Sequence, residues 1–161
     1  MKLTRYFQNP PYLDYFIARY FDARCDLASS GRTERSWSEL EPQVGGKQGF
    51  KNILKGSDRH FTSVFGARYP LSPEQDLMCV PSTTSANFVA MNALVAPGEA
   101  IAVEWPVYDP IPVVAGSCGR RVLHFDRDPM RNFRIDMASL RTALEAGAKL
   151  VIVTNLHNPS G

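Results

Sequence analysis

From about residue 77 onward, short apolar runs alternate with segments whose apolar residues recur three or four positions apart. The runs are Leu77-Met78-Cys79-Val80, Ile101-Ala102-Val103-Glu104-Trp105, Arg121-Val122-Leu123-His124-Phe125 and Leu150-Val151-Ile152-Val153-Thr154. Runs of this length predict strands, and their lack of polar alternation predicts burial on both faces. The intervening pieces predict helices: residues 84–95, stopped by Pro97-Gly98, and Pro110 to Ala115, whose prolines fit only a first turn. A third helix is expected after Asp136 as cap, with Met137, Leu140, Ala143 and Leu144 on one face and Gly147 at its end. Strands alternating with helices predict an α/β fold, a three-layer mostly parallel sheet with helices on both faces.

The amino-terminal part has a different rhythm. Tyr12 to Phe21 reads as an amphipathic helix after Pro10-Pro11, Asp26 to Gly31 as a turn, and residues 32–48 as a polar loop ending in Gly45-Gly46. A longer helix is expected from about Gln48 to Gly66. Phe50, Ile53, Leu54, Phe61, Val64 and Phe65 recur there at helical spacing, and Gly56 weakens its middle. Tyr69 to Gln75 reads as a loop.

Composition narrows the function classes. With 161 residues, 44% of them hydrophobic, the chain can bury a real core. The net charge is +2, and Arg120-Arg121 and Arg127, Arg131 and Arg134 are interspersed with acids and apolar residues. That pattern reads as solvated faces, so no nucleic acid is expected as a partner. No basic and apolar leader opens the chain and no apolar run nears membrane-spanning length, so the expected location is cytoplasmic, with no membrane partner. The three cysteines lack metal-ligand spacing and the three histidines form no HxxxH pair, so no metal site is expected.

The chemistry-bearing stretch is Ser82-Thr83-Thr84-Ser85-Ala86-Asn87, a hydroxyl-rich turn between a predicted strand and a predicted helix. The first N–H groups of a helix lack internal acceptors and its dipole favours negative charge, so such a turn can cup an anion. The same residues serve equally well as ordinary helix caps. At the other end, Asn155-Leu156-His157-Asn158-Pro159-Ser160-Gly161 follows the last predicted strand directly. In open α/β sheets, ligands sit outside the carboxyl ends of strands. The nucleotide signatures GxGxxG and GxxxxGK[ST] are absent.

Taken in order, the strand, the hydroxyl turn, the Ala96-Pro97-Gly98-Glu99 break, Trp105-Pro106-Val107-Tyr108-Asp109-Pro110, Phe133-Arg134-Ile135-Asp136 and the closing Asn155 to Gly161 resemble one known family. They are similar to the first half of the large domain of fold-type-I pyridoxal-phosphate enzymes, aminotransferase class I/II. The resemblance covers about residues 48–161 as an incomplete cofactor-binding large domain. Residues 1–47 more loosely resemble that family's helical N-terminal arm and substrate-side loop. It implies pyridoxal 5'-phosphate as cofactor. Thr83 and Thr84 would hold the phosphate, Tyr108 would stack on the pyridine ring, and Asn158 would donate its amide to the phenolic oxygen. Gly31 would lie near the substrate carboxylate. Without the flanking motifs, Tyr108 and Asn158 read as turn residues. The implied reaction is amino-group transfer from an α-amino acid to a 2-oxo acid, and the implied full-length assembly is a homodimer.

Three departures qualify the resemblance. Family members commonly carry glycine where this chain has Ser82. A tyrosine that reaches the partner's phosphate is replaced by Val44. In the family the Schiff-base lysine, the acid facing the ring nitrogen and the arginine holding the substrate carboxylate follow the Asn-Pro-Ser/Thr-Gly motif. This chain's lysines are Lys2, Lys47, Lys51, Lys55 and Lys149, none in a family-like S-x-x-K context. The expectation is therefore a truncated or partial sequence, with no catalytic residue and no transaminase activity of its own. Three alternatives stay open: a lyase or cyclase on the same scaffold, a non-catalytic remnant acting as an interaction module, and an unrelated α/β nucleotide-binding domain.

Overall fold

The structure, a computed structural model, describes residues 10–19, 35–69 and 77–161, without the side chains of residue 54 and residues 56–61. In chain order the helices are α1 (Pro11–Arg19), α2 (Trp37–Leu40), α3 (Gly46–Arg68), α4 (Thr83–Leu94), α5 (Pro110–Ser117) and α6 (Met137–Glu145). The strands are β1 (Ala100–Trp105), β2 (Arg121–Asp128), β3 (Arg134–Ile135) and β4 (Ala148–Ile152). The chain divides into two compact units, Met1–Ala23 with Pro81–Gly161, and Arg24–Val80.

In the first unit β1 lies inside the sheet, whose order is β3-β2-β1-β4. It pairs in parallel with β2, Ile101 opposite Val122, and in parallel with β4, Ile101 opposite Leu150. The short β3 adds an antiparallel edge, Arg127 opposite Ile135. Every β1 residue from Ala100 to Glu104 is buried, as expected for a strand covered on both faces. Ile101 and Val103 face Met91 of α4, Val95 just after it, and Ile111 and Ala115 of α5. Ala102 faces the other way, with Phe125 and Ala143 of α6, and Leu140 packs at the margin. These are the three layers the alternation predicts. Among the described residues no helix is long and apolar enough to cross a membrane.

Local chemistry sets the helix ends. Asp136 accepts the Ala138 N–H at 2.9 Å and so caps α6. Pro110 opens α5, where its missing N–H costs nothing. The α6 stripe is narrower than its sequence suggests. Ala143 is buried, whereas Met137 is 67% exposed and Leu144 47%, because the small α6 interface reaches only the centre of the helix.

The second unit corrects two expectations. Residues 32–48 are not wholly a loop, since α2 occupies Trp37–Leu40, started by the Ser36 N–H donating to Glu39 Oε2 at 3.0 Å. This is half of a capping box, in the S-x-x-E spacing that signals one. Trp37 then meets Phe50 of α3 edge-on at 5.2 Å between ring centres. Residues 77–80 take no regular secondary structure instead of a strand, and the four-stranded sheet does not include them. An apolar run becomes a strand only where a neighbouring strand completes its ladder.

Candidate functional site

The start of α4 is built on an unusual residue. Ser82 has φ 73° and ψ 150°, a region that essentially only glycine occupies at low cost. Its Oγ accepts the Ser85 N–H at 3.2 Å, which caps the helix. The first-turn N–H groups of Thr83 and Thr84 are those that helix geometry leaves without an internal acceptor.

Two turns at the carboxyl ends of β1 and β4 approach this helix start. The first carries Tyr108, which packs against the core of α4, β1 and α5. The Tyr12 ring of α1 meets Tyr108 edge-on at 6.0 Å, and the Tyr12 N–H donates to Asp109 Oδ2 at 3.1 Å. The second turn carries Asn158. His157, buried at 6% exposure, ties the two turns together: Nε2 lies 2.8 Å from the Pro106 carbonyl and Nδ1 2.7 Å from Ser160 Oγ. A carbonyl only accepts, so Nε2 carries a proton, and in the neutral ring Nδ1 accepts from the Ser160 hydroxyl.

Behind these turns lies a buried carboxylate. Glu104, fully buried at the end of β1, accepts from Arg127 Nε at 2.6 Å through Oε2. Its Oε1 accepts from both the N–H and the hydroxyl of Thr154, each at 2.6 Å. Such charge-assisted bonds are about twice as strong as neutral ones, and here they give both oxygens of the buried carboxylate a partner.

The structure brings Thr83, Thr84, Tyr108 and Asn158 onto one cleft of about 500 Å³, together with Ser82, Asn87 and Thr154. That volume is in the range of small-molecule sites. Its lining has no acidic or basic side chain, so the helix start is its main electrostatic feature. Gly31 lies outside the described residues. Sequence reasoning overlooked Glu104, Thr154 and His157. A lone glutamate within an apolar run was the available signal, since a carboxylate is rarely fully buried without partners.

The three layers define an α/β protein, with a cleft at the strand ends where open sheets hold their ligands. The chain belongs to the aminotransferase class I and II family, whose model matches residues 46–161. Members of this family depend on pyridoxal phosphate. The chain is 28% identical over 159 residues to capreomycidine synthase from Streptomyces vinaceus, across 94% of this chain and 41% of that protein. It is 33% identical over 98 residues to a probable N-succinyldiaminopimelate aminotransferase from Mycobacterium tuberculosis, across 60% of this chain and 24% of that one. A pyridoxal-phosphate-dependent aminotransferase structure from Streptococcus suis shares the fold at a TM-score of 0.74 and 22% identity, covering 99% of this chain and 44% of the other. The chain thus spans less than half the length of each of these proteins.

Proposed function

We propose that the cleft between α4, Tyr108 and Asn158 binds pyridoxal 5'-phosphate, and that the chain is the cofactor-binding portion of an aminotransferase, without transfer activity of its own, whose reaction moves an amino group from an α-amino acid to a 2-oxo acid. The carrying observation is that a helix start with two threonines, an aromatic ring and a carboxamide line one cleft free of charged side chains. The donor set fits the group. The Thr83 and Thr84 N–H and hydroxyl groups suit a phosphate dianion, Tyr108 suits a flat heteroaromatic ring, and the Asn158 amide suits a phenolate oxygen. When bound, this cofactor supplies an electron sink that eases loss of an α-proton. The chain's own residues bind and orient it: the helix start fixes one end, Tyr108 the plane of the ring, and Asn158 the edge.

Family membership favours transfer over the lyase and cyclase alternatives. Residues 48–161 are read as part of the cofactor-binding large domain, and a homodimer is the assembly this reading entails. Lys149 is the second residue of β4, about 16 Å along the chain from Thr154 at 3.3 Å per residue, so the cofactor is held here without a covalent bond from that lysine.

Titration with pyridoxal 5'-phosphate, read by a cofactor absorbance band, tests the reading. Binding should be saturable, weakened about ten-fold or more by Tyr108→Ala or Asn158→Ala, and leave no Lys149 adduct after borohydride. Binding by either variant as tight as the parent's overturns it.

A further inference from the structure

We propose that Glu104 is a positioning residue for the cleft, acting through Thr154 on the turn that carries Asn158; this rests on the reading of that cleft as the cofactor's. The bonds form one unbroken chain. Arg127 donates from Nη1 to the Phe133 carbonyl at 2.9 Å and from Nε to Glu104 Oε2 at 2.6 Å. Glu104 Oε1 takes both the N–H and the hydroxyl proton of Thr154, each at 2.6 Å. Because the Thr154 hydroxyl spends its proton on Glu104, its lone pairs are left to accept, and the Asn158 N–H donates to it at 3.3 Å. The carboxylate therefore fixes both the backbone and the hydroxyl rotor of Thr154, and so the direction from which Asn158 is held.

The chain needs a carboxylate rather than any polar group. Two oxygens must accept from donors on opposite sides, Arg127 on β2 and Thr154 after β4, while Glu104 itself is fully buried. An amide of the same volume has one acceptor. Its N–H₂ must then face either Arg127 Nε–H or Thr154 N–H, donor against donor. A strand needs none of this to be stable, since an apolar side chain in place of a buried ion pair is often neutral or better. Glu104 thus occupies a costly position whose output is directed at the cleft.

The test combines two readouts on Glu104→Gln, Asn158→Ala and the double variant: affinity for pyridoxal 5'-phosphate, and amide hydrogen exchange at Asn158 without cofactor. Glu104→Gln should speed Asn158 exchange selectively and weaken binding about ten-fold, the scale on which residues behind a site act. On the Asn158→Ala background it should weaken binding no further, because its effect passes through that residue. Additive losses, or unchanged Asn158 exchange, overturn the relay. Unchanged binding by Asn158→Ala alone, with exchange still accelerated by Glu104→Gln, overturns the cofactor reading and leaves the relay standing. Should Glu104→Gln not fold, Thr154→Val removes only the bridging hydroxyl and must speed Asn158 exchange, with Thr154→Ser restoring it; failure of that pair also overturns the relay.

Discussion

At Ser82 two requirements conflict in one side chain. Its φ of 73° with ψ 150° favours glycine, while its Oγ caps α4 by accepting from Ser85. Ser82→Ala keeps the strained backbone and loses the cap, so it should destabilise by about 1 kcal/mol. Ser82→Gly loses the cap too but relieves a strain of about 1–3 kcal/mol, so it should be neutral or stabilising. The thermal midpoint of Ser82→Gly should therefore lie above that of Ser82→Ala. Of the residues lining the cleft, the hydroxyl turn was legible as a helix start, whereas Tyr108 and Asn158 were reached only through the order of the motifs around them, since each alone reads as a turn residue. Glu104 was not, because an apolar run hides which of its residues has polar partners. The partners, Arg127 and Thr154, are 23 and 50 residues away in the chain.

Helix α3 shows the same limits one level up. It begins where Gly49 closes on the Val44 carbonyl so tightly that a Cβ there would sit 1.7 Å from the oxygen. Gly49→Ala should lower stability by about 2 kcal/mol or more, although alanine is the better helix former. Gly66→Ala, in the same helix with open space around it, should instead stabilise by about 1 kcal/mol. Denaturant titration of the pair separates backbone crowding from intrinsic propensity. The long periodic helices were readable in sequence, with ends shifted by a few residues. The four-residue α2 was overlooked although Ser36 and Glu39 carry its cap spacing. The two-residue β3 has too little sequence to show a period. Residues 77–80 had the composition of a strand, but pairing depends on a neighbour, which local sequence does not record.

On the scale of the molecule, the first unit is organised around β1, with α4 and α5 over one face and α6 over the other. Both turns of the cleft leave the carboxyl ends of its parallel strands, and α4 delivers its amino end to the same place. The far end of α4 matters as well. Buried Arg120 donates through Nε and Nη2 to the Val95 carbonyl and through Nη1 to Asn92 Oδ1 and the Cys118 carbonyl, all uncharged oxygens. A cation thereby covers the helix's negative terminus, about 18 Å from its start for 12 residues. Viewed from the cleft, α4 then behaves less like a dipole than like a positive monopole, its opposing charge cancelled at the source. Across that distance the guanidinium adds about 0.2–1 kcal/mol for a monovalent anion, depending on the effective dielectric, or up to about five-fold in affinity. Inorganic phosphate should accordingly bind Arg120→Gln more weakly than the parent. Arg120→Lys, though less stable for want of the fork, should recover most of that affinity.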